Sequence, residues 1–210
     1  MKLLIGIPTL DYLHFEFVRS LTDLVRRLDQ EKVDFEVKFI SGTLVHAARD
    51  KVACHAINNG FTHVLWIDSD MVFQDSILED LMFSGKDFVC GRFNARRKPF
   101  VSCQFKRLVP LERVEEYPAD TFQIAACGFG CVLTSVEILK RVQTENGTCF
   151  LPMSGFGEDL AFCIRAREAG YKIYCEPTAV VGHIAHIPIY PEDHERWKTE
   201  ISNIEEIKGW

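Results

Sequence analysis

Two carboxylates close an apolar run. In THVLWIDSDMVF, residues 62–73, Asp68 and Asp70 flank Ser69 immediately after the hydrophobic stretch at 64–67. Side chains at i and i+2 of an extended segment point the same way, so a strand continuing through them would aim both acids at one place. Carboxylate oxygens suit a hard divalent ion, Mg²⁺ or Mn²⁺, whose charge offsets the repulsion within the pair. One Asp then holds the ion while the other accepts hydrogen bonds from a sugar hydroxyl. The bland reading of the same residues is a polar turn capping a helix that begins near Gln74, because Asp and Ser are favoured there.

Three other groups have chemistry to offer. Gly157-Glu158-Asp159 sets a second acidic pair at the start of a helical pattern, where the macrodipole favours ionised carboxylates. Either acid there suits a general base for an incoming hydroxyl, and helix capping accounts for the pair equally well. VGHIAH places His183 after a glycine at a strand end, where a neutral imidazole completes an oxygen-rich metal site, or simply bonds backbone in the core. His186 competes with it, but residues three apart on a strand face opposite sides. The basic run RFNARRKP (Arg92, Arg96, Arg97, Lys98) reads as a solvated loop or as a phosphate contact.

The elements that must position these groups alternate. KLLIGI is a strand stopped by Pro8, and residues 12–31 carry Phe15, Val18, Leu21, Leu24, Val25 and Leu28 at helical spacing. VDFEVKFI alternates as a strand should. Residues 43–59 line Val45, Ala48, Val52 and Ala56 on one helical stripe, with Gly60 at the C-terminal stop. THVLWI is apolar almost throughout and is expected to be buried on both faces. Strand–helix–strand–helix–strand predicts parallel pairing, and ligands of such sheets bind beyond the carboxyl ends of the strands, where Asp68 and Asp70 stand.

The second half predicts strands at DFVCGRF, FVSCQFK and FQIAACGFGCVLT, and a helix over about 135–142. A further helix opens at Glu158 with Leu160, Cys163 and Ile164 on one face and ends at Gly170. One or two short strands follow in YKIYCEPTAVVGHIAHIPIY, and a charged tail runs from Pro191. A mixed, mainly parallel α/β sheet is the expected fold class.

Composition limits the functions available. At 210 residues, 47% of them hydrophobic, the chain is sized for one domain with a substantial core. The net charge of −6, from 24 basic and 30 acidic residues, repels a polynucleotide over most of the surface, so nucleic acid is not an expected partner. Eight cysteines without a CxxC pair or a signal peptide point to reduced thiols in a cytoplasm. The longest apolar run, IAACGFGCVLT, falls short of the ~20 residues of a membrane span.

Taken in order, IPTL, HAARD, WIDSDM, ACGFGCVLT, GEDLAFCIRAREAGYKIY and VVGHI resemble glycosyltransferases of the GT-A fold, close to family 2, over residues 3 to about 186. The resemblance implies a nucleotide-sugar-binding half (1–106), an acceptor and catalytic half (107–190) and a tail (191–210). It implies transfer of a hexose or deoxyhexose from a UDP-sugar, with Mn²⁺ or Mg²⁺, to a hydroxyl of a glycan or glycoprotein. By position, Pro8 and Thr9 match the loop holding the base, and Arg49 matches an Arg near it, with Asp50 where an Asn is common. Asp68 would meet the ribose, Ser69 would lie between the two acids in the donor site, and Asp70 would meet the metal, with His183 as the other protein ligand. Gly128 and Gly130 match a segment under the sugar, or form a strand bulge. Asp159 matches the base of inverting members, with Glu158 behind it, and Arg97 or Lys98 would add charge at the diphosphate. Two other functions stand beside this one: a sugar-phosphate nucleotidyltransferase, disfavoured because GIPTLDYLHF lacks a Gly-rich phosphate loop, and an inert nucleotide-sugar or glycan-binding module.

Overall fold

The computed structural model describes residues 1–10, 12–186 and 190–192. Its first half follows the hydrophobic periodicity: β1 (Lys2–Pro8), α1 (Phe15–Gln30), β2 (Asp34–Ile40), α2 (Val45–Asn58) and β3 (His63–Ile67). β1 pairs in parallel with β2 on one side and β3 on the other. There follow β4 (Met71–Val72), α3 (Ile77–Phe83), β5 (Phe88–Arg92), β6 (Gln104–Leu108), β7 (Leu111–Arg113), β8 (Phe122–Ile124), β9 (Ala126–Cys127) and β10 (Cys131–Ser135). α4 (Val136–Val142), α5 (Glu158–Glu168), β11 (Ile173–Val180) and β12 (Gly182–His183) complete the described fold.

Seven strands form the central sheet in the order β2-β1-β3-β10-β5-β11-β8. The antiparallel pairings of β10 with β3 and β5, and of β8 with β11, leave five strands running one way and two the other. Period-two alternation feeds both faces. Leu3, Ile5, Leu65 and Ile67 pack with Phe17 and Leu24 of α1 and Leu81 of α3, whereas Leu4, Val64 and Trp66 pack with Val52 of α2, Leu139 of α4 and Phe162 of α5. The result is a helix–sheet–helix sandwich. The one polar atom of the fully buried Trp66 is satisfied, its Nε1–H donating to Thr134 Oγ1 at 2.9 Å.

Several expectations change in detail. Phe15 and Val18 are 74% and 40% exposed, and Phe17 takes the buried place at the head of α1, because the helix starts at Phe15 and turns its first residue outward. On α5 the buried residues are Ala161, Phe162, Cys163 and Ala166, with Leu160 and Ile164 only half-buried. The apolar run at 122–134 splits into β8, β9 and β10, which pair with four different strands: β8 with β11, β9 with β6, and β10 with β3 and β5. No helix among the described residues is long and apolar enough to cross a membrane, and all eight cysteines are free thiols. The expected tail, apart from its first two residues, lies outside the described residues.

Candidate active site

β3 ends at Ile67 and does not continue through the acids. Asp68–Asp70 form a turn, closed by the Met71 amide on the Asp68 carbonyl at 3.2 Å. That turn throws the chain into β4, which pairs antiparallel with β12 so that Met71 lies opposite His183. The Ile184 amide then donates to the Asp70 carbonyl at 2.8 Å. A two-strand ladder, rather than an extended continuation of β3, therefore brings His183 beside Asp70.

The floor is glycine-dependent. The Asp68 amide donates to the Gly130 carbonyl at 3.0 Å, and a Cβ on Gly130 would lie 2.0 Å from the end of Met71 and 3.0 Å from the Phe93 ring. Gly128 is less crowded. A Cβ there would meet Cys103 at 3.5 Å and Asp159 Oδ2 at 3.6 Å, ordinary contact distances.

Arg49 lies behind Asp68, only 3% exposed. Its Nη2 donates to both Asp68 oxygens at 2.9 and 3.1 Å, and its Nη1 to Glu158 Oε1 at 2.7 Å. The guanidinium also stacks over Phe129 at 5.4 Å. Burial opposes its charge, but Asp68, Glu158 and Asp159 outweigh burial and hold its pKa above the ordinary value. Asp68 sits deep in the cleft, although its side chain keeps 28% of its surface, and its pKa is raised: burial and Asp70 outweigh the pull of Arg49.

Asp70 Oδ2 faces Arg96 and His183. Arg96 Nη1 donates to it, and His183 Nε2 stands 3.3 Å away, while His183 Nδ1 lies 2.9 Å from the Asn94 carbonyl. Because a carbonyl only accepts, Nδ1 must carry a proton, so the second nitrogen, Nε2, is the one turned toward Asp70. Burial works to lower the His183 pKa, and the bonds to Asp70 and Asn94 reverse that into a raised value. Burial likewise pushes the Asp70 carboxyl up, and His183 and Arg96 together bring it below its usual range. The pair fits a metal. Neighbouring ligands of an octahedral ion with bonds of about 2.1 Å are about 3.0 Å apart, close to the observed 3.3 Å, and a carboxylate oxygen and a neutral imidazole nitrogen are donors of the right chemical type. Among the described residues no group of three or more His, Cys, Asp or Glu converges to hold an ion, so substrate oxygens and water must complete such a shell.

Asp159 opens α5, its Oδ1 accepting from the Leu160 amide at 2.7 Å. Burial raises its pKa over the lowering effect of Arg49. The two acids of the pair thus differ in employment: Glu158 is engaged by Arg49, whereas Asp159 makes only that local bond to backbone.

Pro8, Thr9, Asp68, Ser69 and Asp70 line one cavity of about 220 Å³, with Val45 and Ala48 of α2 and Arg96 opposite. Arg49 and Gly128 lie outside that lining. Arg97 and Lys98 stand exposed, and Arg96 is the member of the basic run that reaches the acids. His186 does not join them; its ring lies 5.1 Å from that of His14. Asp50 accepts from the amides of Cys149 and Phe150 at 2.6 and 2.9 Å, tying down the loop before α5. Within the basic run the expectation fell on Arg97 or Lys98, and Arg96 differs from Arg97 only in which way the loop turns.

No known protein-family profile matches the chain, and no curated protein matches it by sequence. Solved structures do. A197 from STIV superposes with a TM-score of 0.59 at 15% identity, covering 90% of this chain and 97% of that one. The catalytic domain of Drosophila β1,4-galactosyltransferase 7 in complex with xylobiose gives 0.55 at 14% identity, covering 92% of this chain and 78% of its own. The fold is GT-A. GalNAc-T7 with UDP, GalNAc and Mn²⁺ adds a TM-score of 0.59 at 10% identity, covering 89% of this chain and 44% of that one.

Proposed function

We propose that the chain is a metal-dependent glycosyltransferase that moves a hexose or deoxyhexose from a nucleotide-diphosphate sugar, a UDP-sugar, to a hydroxyl of a glycan or glycoprotein. The observation that carries the reading is Asp70 beside His183 Nε2, on the rim of a cavity that also has Pro8, Thr9 and Asp68 in its walls. The fold likeness supports the general class, since one neighbour is a complex with UDP, GalNAc and Mn²⁺. Closeness to family 2 rests on the order of sequence motifs alone.

In this reading Asp70 and His183 hold a divalent ion, which when bound supplies Lewis-acid charge to the departing diphosphate. The Nδ1–H bond to Asn94 keeps the imidazole oriented, as partners behind a metal-binding histidine commonly do. Pro8 and Thr9 flank the nucleotide, and Asp68 accepts from ribose hydroxyls. Arg49, outside the cavity lining, acts by fixing Asp68 rather than by touching the base. Arg96 exchanges its contact with Asp70 for one with diphosphate oxygens, a bidentate partner of the same charge. Asp159 takes the acceptor proton if configuration inverts, because Glu158 is held by Arg49 and Asp159 is not.

Screening the purified chain against several nucleotide sugars, with Mn²⁺ and with chelator, tests the proposal through thermal stabilisation and donor hydrolysis. Metal-dependent stabilisation by a UDP-sugar together with slow hydrolysis supports it. Stabilisation without hydrolysis or transfer to any hydroxyl supports an inert binding module instead.

A further inference from the structure

Beside the cavity at the acids lie two more, the first sharing Arg96 with it and bordered by His183, the second lined by no residue assigned to the donor. A cleft of about 480 Å³ is lined by Arg92, Asn94, Arg96 and His183, and a second of about 290 Å³ by Arg92, Asn94, Ser102, Arg113 and Tyr117. The two clefts share Arg92 and Asn94 in their walls. In a chain of net charge −6, three arginines border them.

Two of the three are held in place without a counter-charge. The guanidinium carbon of Arg92 sits over the Tyr117 ring, 4.2 Å from its centre, and that of Arg113 over the Phe105 ring at 4.6 Å. The Tyr117 hydroxyl is pinned from beneath by Gln104 Oε1 and Ser102 Oγ, both at 2.7 Å, and Gln104 is fully buried. Arg113 donates to the backbone carbonyl of that same Ser102. One buried network therefore anchors both guanidiniums. Neither forms an ion pair among the described residues; Glu115 lies on the rim, exposed and out of salt-bridge reach. A guanidinium carries five N–H donors in a fork that matches carboxylate or phosphate oxygens, and Arg113 gives one of its own to Ser102.

We propose that Arg92 and Arg113 form an oxyanion subsite for an acidic acceptor, a saccharide bearing a carboxylate or a phosphate ester. The word acceptor rests on the glycosyltransferase reading; the anion site itself does not. The subsite lies next to the acids' side of the molecule, since Asn94, whose carbonyl accepts from His183 Nδ1, lines both clefts. An anion gripped in the second cleft leaves the remainder of the sugar to extend along the first toward His183.

Ligand-observed NMR titration of the full chain, without nucleotide, tests this with methyl glucuronide, glucose 6-phosphate, uncharged methyl glucoside and inorganic phosphate. The charged sugars are expected to bind about tenfold or more tighter than methyl glucoside, the scale of a charge-assisted hydrogen bond. Arg92→Gln and, separately, Arg113→Gln should each erase that preference while leaving UDP affinity with Mn²⁺ unchanged. The stronger of the glucuronide and the phosphate ester identifies the anion. Equal binding of charged and neutral sugars overturns the proposal, as does a preference that survives both substitutions. So does inorganic phosphate binding as well as the charged sugars, or UDP affinity falling in step with sugar affinity. If the charged preference stands but wild-type protein binds no UDP with Mn²⁺, the subsite survives and the donor reading falls.

Discussion

Arg49 Nη2 stands 2.9 and 3.1 Å from the two carboxylate oxygens of Asp68, across the boundary between α2 and the end of β3. The other arm of the same guanidinium reaches Glu158 at the head of α5, so one buried charge ties three elements around the site. Arg49→Gln leaves two partly buried carboxylates facing each other without compensation. A loss of about 3 kcal/mol in urea denaturation is expected, the scale of a broken buried pair. Asp68→Asn should cost less, because Arg49 keeps Glu158. An unchanged urea midpoint for Arg49→Gln would show that this bridge does not organise the site.

Asp70→Asn and His183→Ala should each abolish Mn²⁺-dependent stabilisation by UDP while shifting the melting temperature of the free protein little, since neither side chain belongs to the apolar clusters. His186→Ala, remote from Asp70, should keep the metal response. Loss in His186→Ala with retention in His183→Ala would exchange their roles.

Gly130→Ala should destabilise by about 1–3 kcal/mol, the cost of overpacking, because its Cβ would press on both Met71 and Phe93 and shift the carbonyl that holds the Asp68 amide. Gly128→Ala meets only ordinary contact distances and should cost under about 1 kcal/mol. Denaturation of the two variants side by side checks the ordering, which fails if Gly128→Ala is the more damaging.

Asp159 links stability to activity with opposite signs. Burial holds its folded pKa above the unfolded value, so its contribution is favourable below the unfolded pKa and is lost as pH rises through the folded one. Asp159→Asn removes that loss and keeps an acceptor for the Leu160 amide, so at neutral pH the variant should melt no lower than the native chain. Transfer should fall by ~10²- to 10⁴-fold at unchanged donor affinity, and the native rate should rise with pH above the ordinary Asp range. A lower melting temperature with normal turnover would reduce Asp159 to a helix-capping role. NMR of the product decides stereochemistry: retained anomeric configuration removes the single-displacement base.

Much of this was readable along the chain. Alternation and helical spacing located β1, α1, β2, α2 and β3 and put Asp68 and Asp70 at the lip of the sheet. What was hidden is tertiary. From Ile124 to Leu133 the chain has no polar side chain, so that stretch carries no period from which to divide it into β8, β9 and β10 or to read their pairing. The same holds for direction: Arg96 and Arg97 are chemically identical neighbours, and only the loop path decides which meets Asp70. The Arg49–Glu158 contact spans 109 residues, and nothing local in either segment announces it. Of the two readings of Asp68–Asp70 the turn is the one the structure has, although it leads into β4 instead of capping a helix at Gln74; the turn, not an extended pair, delivers β4 to β12 and His183 to Asp70.

Calorimetric titration of the chain with UDP, in Mn²⁺ and again in chelator, addresses the central claim most directly. Asp70 and His183 offer an incomplete shell that diphosphate oxygens would finish, so each ligand should need the other. UDP should bind at least about tenfold tighter with Mn²⁺ than with chelator, a coupling of about 1.4 kcal/mol or more. Equal affinity in the two conditions would contradict a metal-bridged diphosphate at this site.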